Sequence, residues 1–291
     1  MFCREFLYLL DEVVKKVAEH IANKIESLRK RIKKYEKAVI AFSGGVDSTF
    51  LLMVAVQELG ERVLAVTLDS MLIPRQEIEE AQRIAHQLRA NHKIVSLNPL
   101  EVPGVRENQP ERCYHCKQYL FGALCDLAGK EGYQAVLDGT IKDDQSDYRP
   151  GMRALMELGI YSPLLEEGIT KDEIRQFLRT AGLSSWNKPG AACLASRIPY
   201  GEEITADKLK MIEGAEAYLN SIINGQLRVR WHQGIARIEA SVDDFPVILE
   251  HREEITENIK KMGFSYVTLD LVGYRRGSLN ELLPTLQRSY A

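Results

Sequence analysis

The sequence predicts an α/β protein in which a doubly wound parallel sheet is followed by a smaller α+β domain. In the first part of the chain, short apolar runs typical of buried strands alternate with helical stretches. This alternation indicates a parallel sheet with helices on both faces. After about residue 200 the order changes to helix, strand, strand, helix, strand, which favours a small α+β unit. The length of 291 residues agrees with about two domains.

The first segment, residues 13–37, is predicted to be an amphipathic helix, because apolar side chains recur there at helical spacing. The predicted strands that follow are Ala38–Phe42, Arg62–Asp69, Lys93–Leu97 and Tyr133–Gly139. The predicted helices between them are Thr49–Leu59, Glu77–Leu88 and a stretch that includes Leu120–Leu127. We therefore assign residues 1–36 to an N-terminal helix and residues 37–190 to the sheet domain.

The segment Pro189–Gly201 interrupts the regular pattern with two prolines and several small residues. It predicts a domain boundary and a mobile loop, so residues 191–291 are assigned to the C-terminal domain. The helices predicted in that domain are Ala206–Leu219 and Pro246–Met262, and its predicted strands are Leu227–Trp231, Ile235–Ala240 and Ser265–Leu271.

Charge and hydropathy exclude two classes of protein. The 38 Lys and Arg against 41 Asp and Glu give a formal net charge of −3, so the chain is not an overall basic nucleic-acid binder. No apolar run approaches the roughly 20 residues of a membrane span. Residues 1–18 carry charges where a signal peptide needs an apolar core. We expect a cytoplasmic protein with no nucleic-acid or membrane partner.

The string Ser43-Gly44-Gly45-Val46-Asp47-Ser48 lies between a predicted buried strand and a helix. Glycines allow a tight turn close to a ligand, and Ser48 with the helix N-terminus offers donors to an anion. Asp47 beside a phosphate would hold Mg²⁺. The alternative is a Gly-Gly turn followed by an ordinary Asp/Ser helix cap.

The full string resembles the pyrophosphate loop (PP-loop) of the ATP pyrophosphatases, which split ATP between its α- and β-phosphates. It lacks the lysine of a Walker A loop, so it does not indicate transfer of the γ-phosphate. Asp69 ends the second predicted strand at the edge where ligands of open sheets lie. That residue either contacts the nucleotide or caps a turn.

Three of the five cysteines are candidates for chemistry. Cys113 and Cys116 form a CxxC motif, and Cys193 lies far downstream in the irregular segment. A closed zinc site would need a fourth ligand, either His115 or a remote residue. Three cysteines alone are also what a 4Fe–4S cluster with one open iron would show.

The remaining two cysteines are expected to pack, whereas Cys193 has neighbours that suggest reactivity. Cys125 is assigned to the core and Cys3 to the terminus, because free cysteine packs like a small hydrophobe. Lys188, Ser196 and Arg197 lie close to Cys193 in sequence, and such neighbours would lower the pKa of its thiol. A thiolate there could use an electrophile made by ATP.

Most of the chain closely resembles the LarE family of ATP-dependent sulfur transferases, which serve the nickel-pincer nucleotide cofactor of lactate racemase. The strings that carry the resemblance are AFSGGVDST (41–49), LDGTIKDDQSDYRPG (137–151), WNKPGAACLASRIPYG (186–201), LRVRWHQGIARIE (227–239) and YVTLDLVGYRRG (266–277). The resemblance implies a fold of the adenine nucleotide alpha hydrolase type. It also implies a homohexamer built from trimers.

The resemblance further implies the reaction. ATP would adenylate the carboxylates of pyridinium-3,5-biscarboxylic acid mononucleotide, with pyrophosphate held by Ser43, Gly44, Gly45 and Ser48. A sulfur nucleophile would then displace AMP and leave thiocarboxylates. The residues that match the family's active-site positions, and that are expected around the substrate, are Lys117, Ser196, Arg197, Glu216, Arg228 and Arg230. Arg228 and Arg230 also alternate on one face of a predicted strand, where two guanidiniums could grip a phosphate.

The family contains two types, which differ in the source of the sulfur. In the sacrificial type a single cysteine that matches Cys193 gives up its own sulfur. In the other type, cysteines that match Cys113, Cys116 and Cys193 resemble ligands of a 4Fe–4S cluster that carries a transferable sulfide. This chain matches the three-cysteine type. The open alternatives are the sacrificial route, a tRNA thiolase and a zinc-stapled nucleotide-binding protein without catalysis.

Overall fold

A computed structural model describes residues 12–15, 17–146, 150–188, 190, 192–275 and 277–279. Cys3 lies outside these residues. Within them the chain forms a four-stranded sheet and a three-stranded sheet. None of the helices in this described part is long and apolar enough to cross a membrane.

The first sheet is parallel throughout, with the strand order β3-β2-β1-β4. Its strands are β1 (Ala38–Ala41), β2 (Val63–Asp69), β3 (Asn91–Ser96) and β4 (Ala135–Leu137). The helices before, between and after them are α1 (Glu19–Ile32), α2 (Val46–Leu59), α3 (Arg75–Gln87), α4 (Pro103–Arg106), α5 (Arg112–Lys130), α6 (Pro150–Glu157), α7 (Pro163–Glu166) and α8 (Lys171–Thr180).

The central strands of this sheet are buried on both faces. In β1, Ile40 belongs to the buried cluster that includes residues of α1, α2 and α8, whereas Val39 belongs to the cluster that includes residues of α5. In β2, Ala65 belongs to the first of these clusters and Leu64 to the second. Because successive side chains of a strand point to opposite faces, helices must cover both sides. The predicted doubly wound α/β fold is confirmed.

Several helix boundaries differ from the prediction, and the largest differences are in α1 and α2. Helix α1 runs from Glu19 to Ile32, so the amphipathic pattern over residues 13–37 is longer than the helix itself. Helix α2 begins at Val46, three positions before the predicted start, because Gly45 is the last residue with an extended backbone (φ −75°, ψ 166°). Asp47 and Ser48 therefore lie in the first turn of the helix.

The C-terminal part contains β5 (Leu227–His232), β6 (Ile235–Ala240) and β7 (Tyr266–Leu269), with α9 (Ala206–Leu219), α10 (Phe245–Glu250) and α11 (Arg252–Lys261). Strands β5 and β6 are antiparallel, and β6 and β7 are parallel. The single helix predicted over 246–262 is two helices, because the backbone of His251 (φ −92°, ψ 12°) interrupts it.

A short 3₁₀ turn, Leu194–Arg197, follows Cys193 and is firmly held. The backbone N–H of Leu194 donates to the carbonyl of Leu72 at 2.8 Å, and Arg197 is only 2% exposed. The prediction of a mobile loop is therefore wrong for this turn. Leu72, from the loop after β2, packs into the C-terminal core. The domain limit between residues 190 and 191 stays a prediction.

Candidate active site

One large cavity, of about 520 Å³, opens at the carboxyl ends of β1, β2 and β4. This is the edge at which open α/β sheets bind ligands. The predicted site residues that line it are Ser43, Gly45, Asp47, Ser48, Cys113, Cys116, Lys117 and Cys193. The structure thus brings the phosphate-loop motif and the three candidate cysteines to one place.

The loop between β1 and α2 can be built only with glycine at its closest approach to α3. Gly44 has φ +68°, and a Cβ there would lie 2.8 Å from the backbone Cα of Ala81. Within the loop, the Oγ atoms of Ser43 and Ser48 lie 3.1 Å apart, and the N–H of Gly45 donates to Ser43 at 3.3 Å. The loop therefore presents hydroxyls and the start of a helix to the cavity, as an anion site requires.

Asp47 has one occupied and one unpartnered carboxylate oxygen. Its Oδ2 accepts a hydrogen bond from Nζ of Lys171 at 2.6 Å, whereas Oδ1 is buried without a hydrogen-bond partner. Burial raises the pKa of Asp47, although Lys171 opposes this shift. A buried, unsatisfied carboxylate oxygen is costly, and it fits a ligand of Mg²⁺.

Asp69 does not line the large cavity, although Leu68 and Ser70 do. Its carboxylate forms an ion pair with Arg75 at 2.5 Å. The structure thus places Asp69 beside the cavity, where it holds the loop that leads into α3.

The three candidate thiols reach the cavity from two segments. Cys113 and Cys116 lie in the first two turns of α5, where the i, i+3 spacing puts them on one face. Cys193 directly precedes the turn Leu194–Arg197, and both it and Cys113 are exposed. Cys125 packs against the cluster that includes residues of α5, which agrees with a core role.

The pKa values of two of these thiols are raised, not lowered. Burial raises the pKa of Cys116 to about 12, and the other two thiols add to this shift. The pKa of Cys193 is also raised, because the surrounding protein displaces water from the thiolate even though the side chain is open to the cavity. Arg112 and Arg197 favour the thiolate but do not outweigh this effect. The expectation of a ready thiolate at Cys193 is therefore wrong.

The fit of the thiols to an iron–sulfur cluster depends on their donor chemistry. Thiolates are the protein ligands of such clusters, and three thiols share one cavity. Among the described residues, no group of three or more His, Cys, Asp or Glu side chains is already arranged around a single ion position. The donor set fits a cluster, and its geometry stays a prediction.

Lys117 also lines the large cavity, one residue after Cys116. Helix α6 approaches it closely, since a Cβ on Gly151 would lie 2.8 Å from Cδ of Lys117 and 3.3 Å from the carbonyl oxygen of Cys113. Glycine at this position allows α6 to pack against the cysteine-bearing turn.

A second pocket, of about 210 Å³, is lined by Leu194 and Arg197 of this turn, and we call it the arginine pocket. Of the predicted substrate residues, Arg197, Glu216 and Arg228 line it. Arg197 forms two hydrogen bonds of 2.9 Å to Glu216, whose Oε1 also accepts from the backbone N–H of Val229. This buried pair fixes the wall of the pocket.

Arg228 is the cation that this pocket offers to a ligand. Within the described part of the chain its guanidinium has no carboxylate within ion-pair distance, and it lies over the ring of Tyr274 at 5.5 Å. Burial lowers the pKa of Arg228, and the nearby charge of Arg197 adds to this shift. An anionic ligand would relieve both effects.

Arg230 lies on the same strand face as Arg228, but its side chain lines a different pocket. Its guanidinium binds Glu239 at 2.9 and 3.0 Å and the carbonyl oxygen of Ser196 at 2.7 Å. It lines a separate pocket of about 110 Å³. The structure therefore does not place the two arginines around one phosphate site. Ser196, another predicted substrate residue, accepts a hydrogen bond through its Oγ from Arg197 at 3.0 Å.

Sequence reasoning missed Arg112 and Lys171. Arg112 lines the large cavity and donates to the Sγ of Cys113 at 3.9 Å; its place beside the CxxC motif was the available signal. Lys171 follows Thr170, whose capping box with Glu173 predicts a helix start. Nothing in that pattern indicates that its Nζ meets Asp47, 124 positions away.

Comparisons with known proteins agree with this geometry. Residues 16–112 match the NAD synthase family. A Synechocystis protein of uncharacterised function is 42% identical over 265 residues, which cover 90% of this chain and 99% of the relative. A glutamine-hydrolysing GMP synthase polypeptide from Methanococcus maripaludis is 29% identical over 180 residues, 58% of this chain and 57% of its own length.

A further relative covers nearly the whole chain. It is the pyridinium-3,5-bisthiocarboxylic acid mononucleotide synthase of Lactiplantibacillus plantarum, 38% identical over 271 residues, which are 92% of this chain and 97% of the relative. At that identity and coverage, and with the phosphate loop and its cavity in place, the chain belongs to the LarE family of PP-loop ATP-dependent sulfur transferases.

Proposed function

We propose that this enzyme converts the carboxylates of pyridinium-3,5-biscarboxylic acid mononucleotide into thiocarboxylates. The observation that carries the proposal is the position of the turn after Cys193. Cys193 lines the large cavity, whereas Leu194 and Arg197 line the arginine pocket. A nucleotide in the cavity and an anionic substrate in the pocket would therefore meet at Cys193.

In the first step a substrate carboxylate oxygen attacks the α-phosphorus of ATP, which forms an acyl adenylate and releases pyrophosphate. The hydroxyls of Ser43 and Ser48, with the N-terminus of α2, would hold the pyrophosphate, which their position around one loop supports. The unpartnered Oδ1 of Asp47 would hold Mg²⁺, which neutralises charge on the phosphates. Gly44 and Gly45 let the backbone approach.

In the second step a sulfur nucleophile attacks the activated carbonyl and displaces AMP. Arg228 would bind the phosphate of the mononucleotide, and the Arg197–Glu216 pair would keep that wall fixed. Lys117 faces the cavity beside the thiols, where its charge would stabilise anions. A 4Fe–4S cluster on Cys113, Cys116 and Cys193 would supply an open iron that carries the transferable sulfide.

Anaerobic reconstitution with iron and sulfide tests the role of the cysteines. We expect a brown protein, and we expect Cys113→Ala, Cys116→Ala and Cys193→Ala each to lose the colour. Cys125→Ala is the matched control, since Cys125 packs in the sheet domain, and it should stay brown. A wild-type protein that stays colourless would remove the cluster from the proposal.

The sacrificial route is the second candidate, because Cys193 itself opens into the cavity. Loss of H₂S from Cys193 would leave dehydroalanine, and the chain would lose that mass in one turnover. Mass spectrometry after turnover distinguishes the two routes, since a recyclable sulfur source leaves the chain unchanged. A hexamer built from trimers and a cytoplasmic location also belong to the proposal and rest on the family resemblance.

A further inference from the structure

Two buried polar residues, Asn108 and Arg112, lie between α4 and the start of the cysteine-bearing turn of α5. Asn108 is fully buried and Arg112 is 4% exposed. Buried polar groups of this kind must find partners. Their partners come from the chain that follows Cys193.

Asn108 binds this later segment through both its side chain and its backbone. Its Nδ2 donates to the carbonyl oxygens of Ile198 at 3.1 Å and Pro199 at 2.8 Å. Its own carbonyl accepts from the N–H of Gly201 at 3.0 Å. The backbone of Asn108 has φ +55°, a conformation that asparagine tolerates better than most residues.

Arg112 completes the connection. Its Nη1 donates to Oδ1 of Asn108 and, at 3.2 Å, to the carbonyl oxygen of Ala195. Its guanidinium also lies over the ring of Tyr200, 5.6 Å from the centroid. One side chain thus joins the residue before Cys113 to the turn that follows Cys193.

We propose that Asn108 and Arg112 act as positioning residues that set the distance between Cys193 and the Cys113–Cys116 pair. Helix geometry alone fixes the separation of Cys113 and Cys116. The third thiol is 77 positions after Cys116 in the sequence, and it reaches the others only through tertiary contacts. Three side-chain hydrogen bonds of Asn108 and Arg112 supply such contacts, and a fourth joins the two residues to each other.

Other side chains hold the same turn from the opposite side. Arg197 binds Glu216 of α9, and Arg230 of β5 donates to the carbonyl of Ser196. Those side-chain bonds tie the turn to the C-terminal part, and the backbone bond from Leu194 to Leu72 ties it to the loop after β2. The bond from Arg112 to the carbonyl of Ala195 joins the turn to α5 itself. The two sets of contacts therefore have separable effects.

A thiol-bridging measurement tests this inference without ATP, substrate or metal, so its outcome is independent of the proposed function. In a parent protein with Cys3, Cys116 and Cys125 changed to Ser, the remaining thiols are Cys113 and Cys193. Dibromobimane becomes fluorescent when it bridges two thiols. We expect the parent to be bridged rapidly, and a parent that is not bridged would overturn the inference.

Two variants and one control follow in that background. Asn108→Gly allows the same positive φ and removes the side chain. Arg112→Lys keeps the positive charge and removes the planar guanidinium with its several N–H donors. Each should slow bridging by about tenfold or more, the effect of losing roughly one hydrogen bond or several. The bridging rate is divided by the rate of single alkylation of Cys113 by iodoacetamide in the same protein, which should stay unchanged in Asn108→Gly and which corrects in Arg112→Lys for the lost contact between Arg112 and Cys113. Glu107→Gln is the matched control, since Glu107 is an exposed residue of the same segment and its carboxylate accepts from the neighbouring Gln109, and it should bridge at the parent rate.

The variants also need a check of their fold, which a thermal unfolding scan provides. A general loss of stability would shift the unfolding temperature without slowing the bridging of folded protein. Folded variants that bridge as fast as the parent would overturn the inference. If Asn108→Gly does not fold, Arg112→Lys alone decides between these outcomes.

Discussion

At the scale of single residues, the phosphate loop shows how far a motif can be interpreted. The sequence is sufficient to predict the roles of Gly44, Gly45 and Ser48, because backbone freedom and hydroxyl donors belong to the residue types themselves. It is not sufficient to predict the ion pair of Asp47 with Lys171, because that contact depends on the docking of α8. Local chemistry was predictable, and partners that are distant in sequence were not.

The first prediction concerns Gly44. Gly44→Ala should abolish ATP binding measured by calorimetry, because the added Cβ meets the backbone of Ala81 and the residue keeps a positive φ. Gly132→Ala is the matched control: Gly132 has φ +73° just after the end of α5 and open space around a Cβ. It should cost about 1 kcal/mol of stability and bind ATP normally. Normal binding by Gly44→Ala would contradict the assigned loop.

The second prediction concerns the pH dependence of Cys116. Because its pKa is raised to about 12, its thiolate fraction is very small at pH 8 and grows about tenfold with each pH unit up to the pKa. Iodoacetamide labelling of the metal-free protein, mapped by mass spectrometry from pH 7 to about 10, should show this rise without a plateau. A plateau near the ordinary thiol pKa would contradict the buried environment of Cys116.

At the scale of elements, strand β5 separates two arginines that the sequence treats alike. Their alternation correctly predicts one shared strand face, because residues two apart in a strand lie on the same side. The alternation does not predict that Arg230 forms an ion pair with Glu239 of β6, because the register between two strands depends on the tertiary structure. The bounds predicted for the helix Ala206–Leu219 agree with the structure, whereas the break near His251 was not predicted.

The third prediction separates the two arginines. Arg230→Met should lower the free energy of unfolding by about 3 kcal/mol, because it leaves the fully buried Glu239 without one of its two cationic partners. Arg228→Met should change stability by less than about 1 kcal/mol and weaken binding of the anionic mononucleotide. Chemical denaturation and calorimetry measure the two effects. Equal loss of stability in both variants would contradict the different surroundings described for them.

At the scale of the whole molecule, the site depends on contacts between the two sheets. Leu72, from the loop after β2, packs in the C-terminal core, and its carbonyl accepts from Leu194. Glu213 of α9 accepts a hydrogen bond from the backbone N–H of Arg75 at 2.6 Å. The large cavity and the arginine pocket are therefore held together by the loop that follows β2. The sequence predicted two folding units but not the segment that joins them.

The fourth prediction tests this joining segment. Leu72→Ala should lower the free energy of unfolding by about 2–5 kcal/mol, the cost of removing a buried leucine side chain. Met71→Ala is the matched control, because Met71 precedes Leu72 in the chain and its own side chain is exposed. This variant should change the free energy of unfolding little. Thermal unfolding of both variants measures the difference. A Leu72→Ala protein as stable as the control would contradict the shared core.

The central claim is that ATP activates a carboxylate for attack by sulfur at the meeting point of the two pockets. The most direct measurement is an anaerobic reaction of the reconstituted enzyme with pyridinium-3,5-biscarboxylic acid mononucleotide, Mg²⁺, ATP and sulfide, with all products identified. We predict AMP and pyrophosphate in equal amounts, one of each for every thiocarboxylate formed. Formation of ADP and phosphate, or a thiocarboxylate without AMP, would contradict the account.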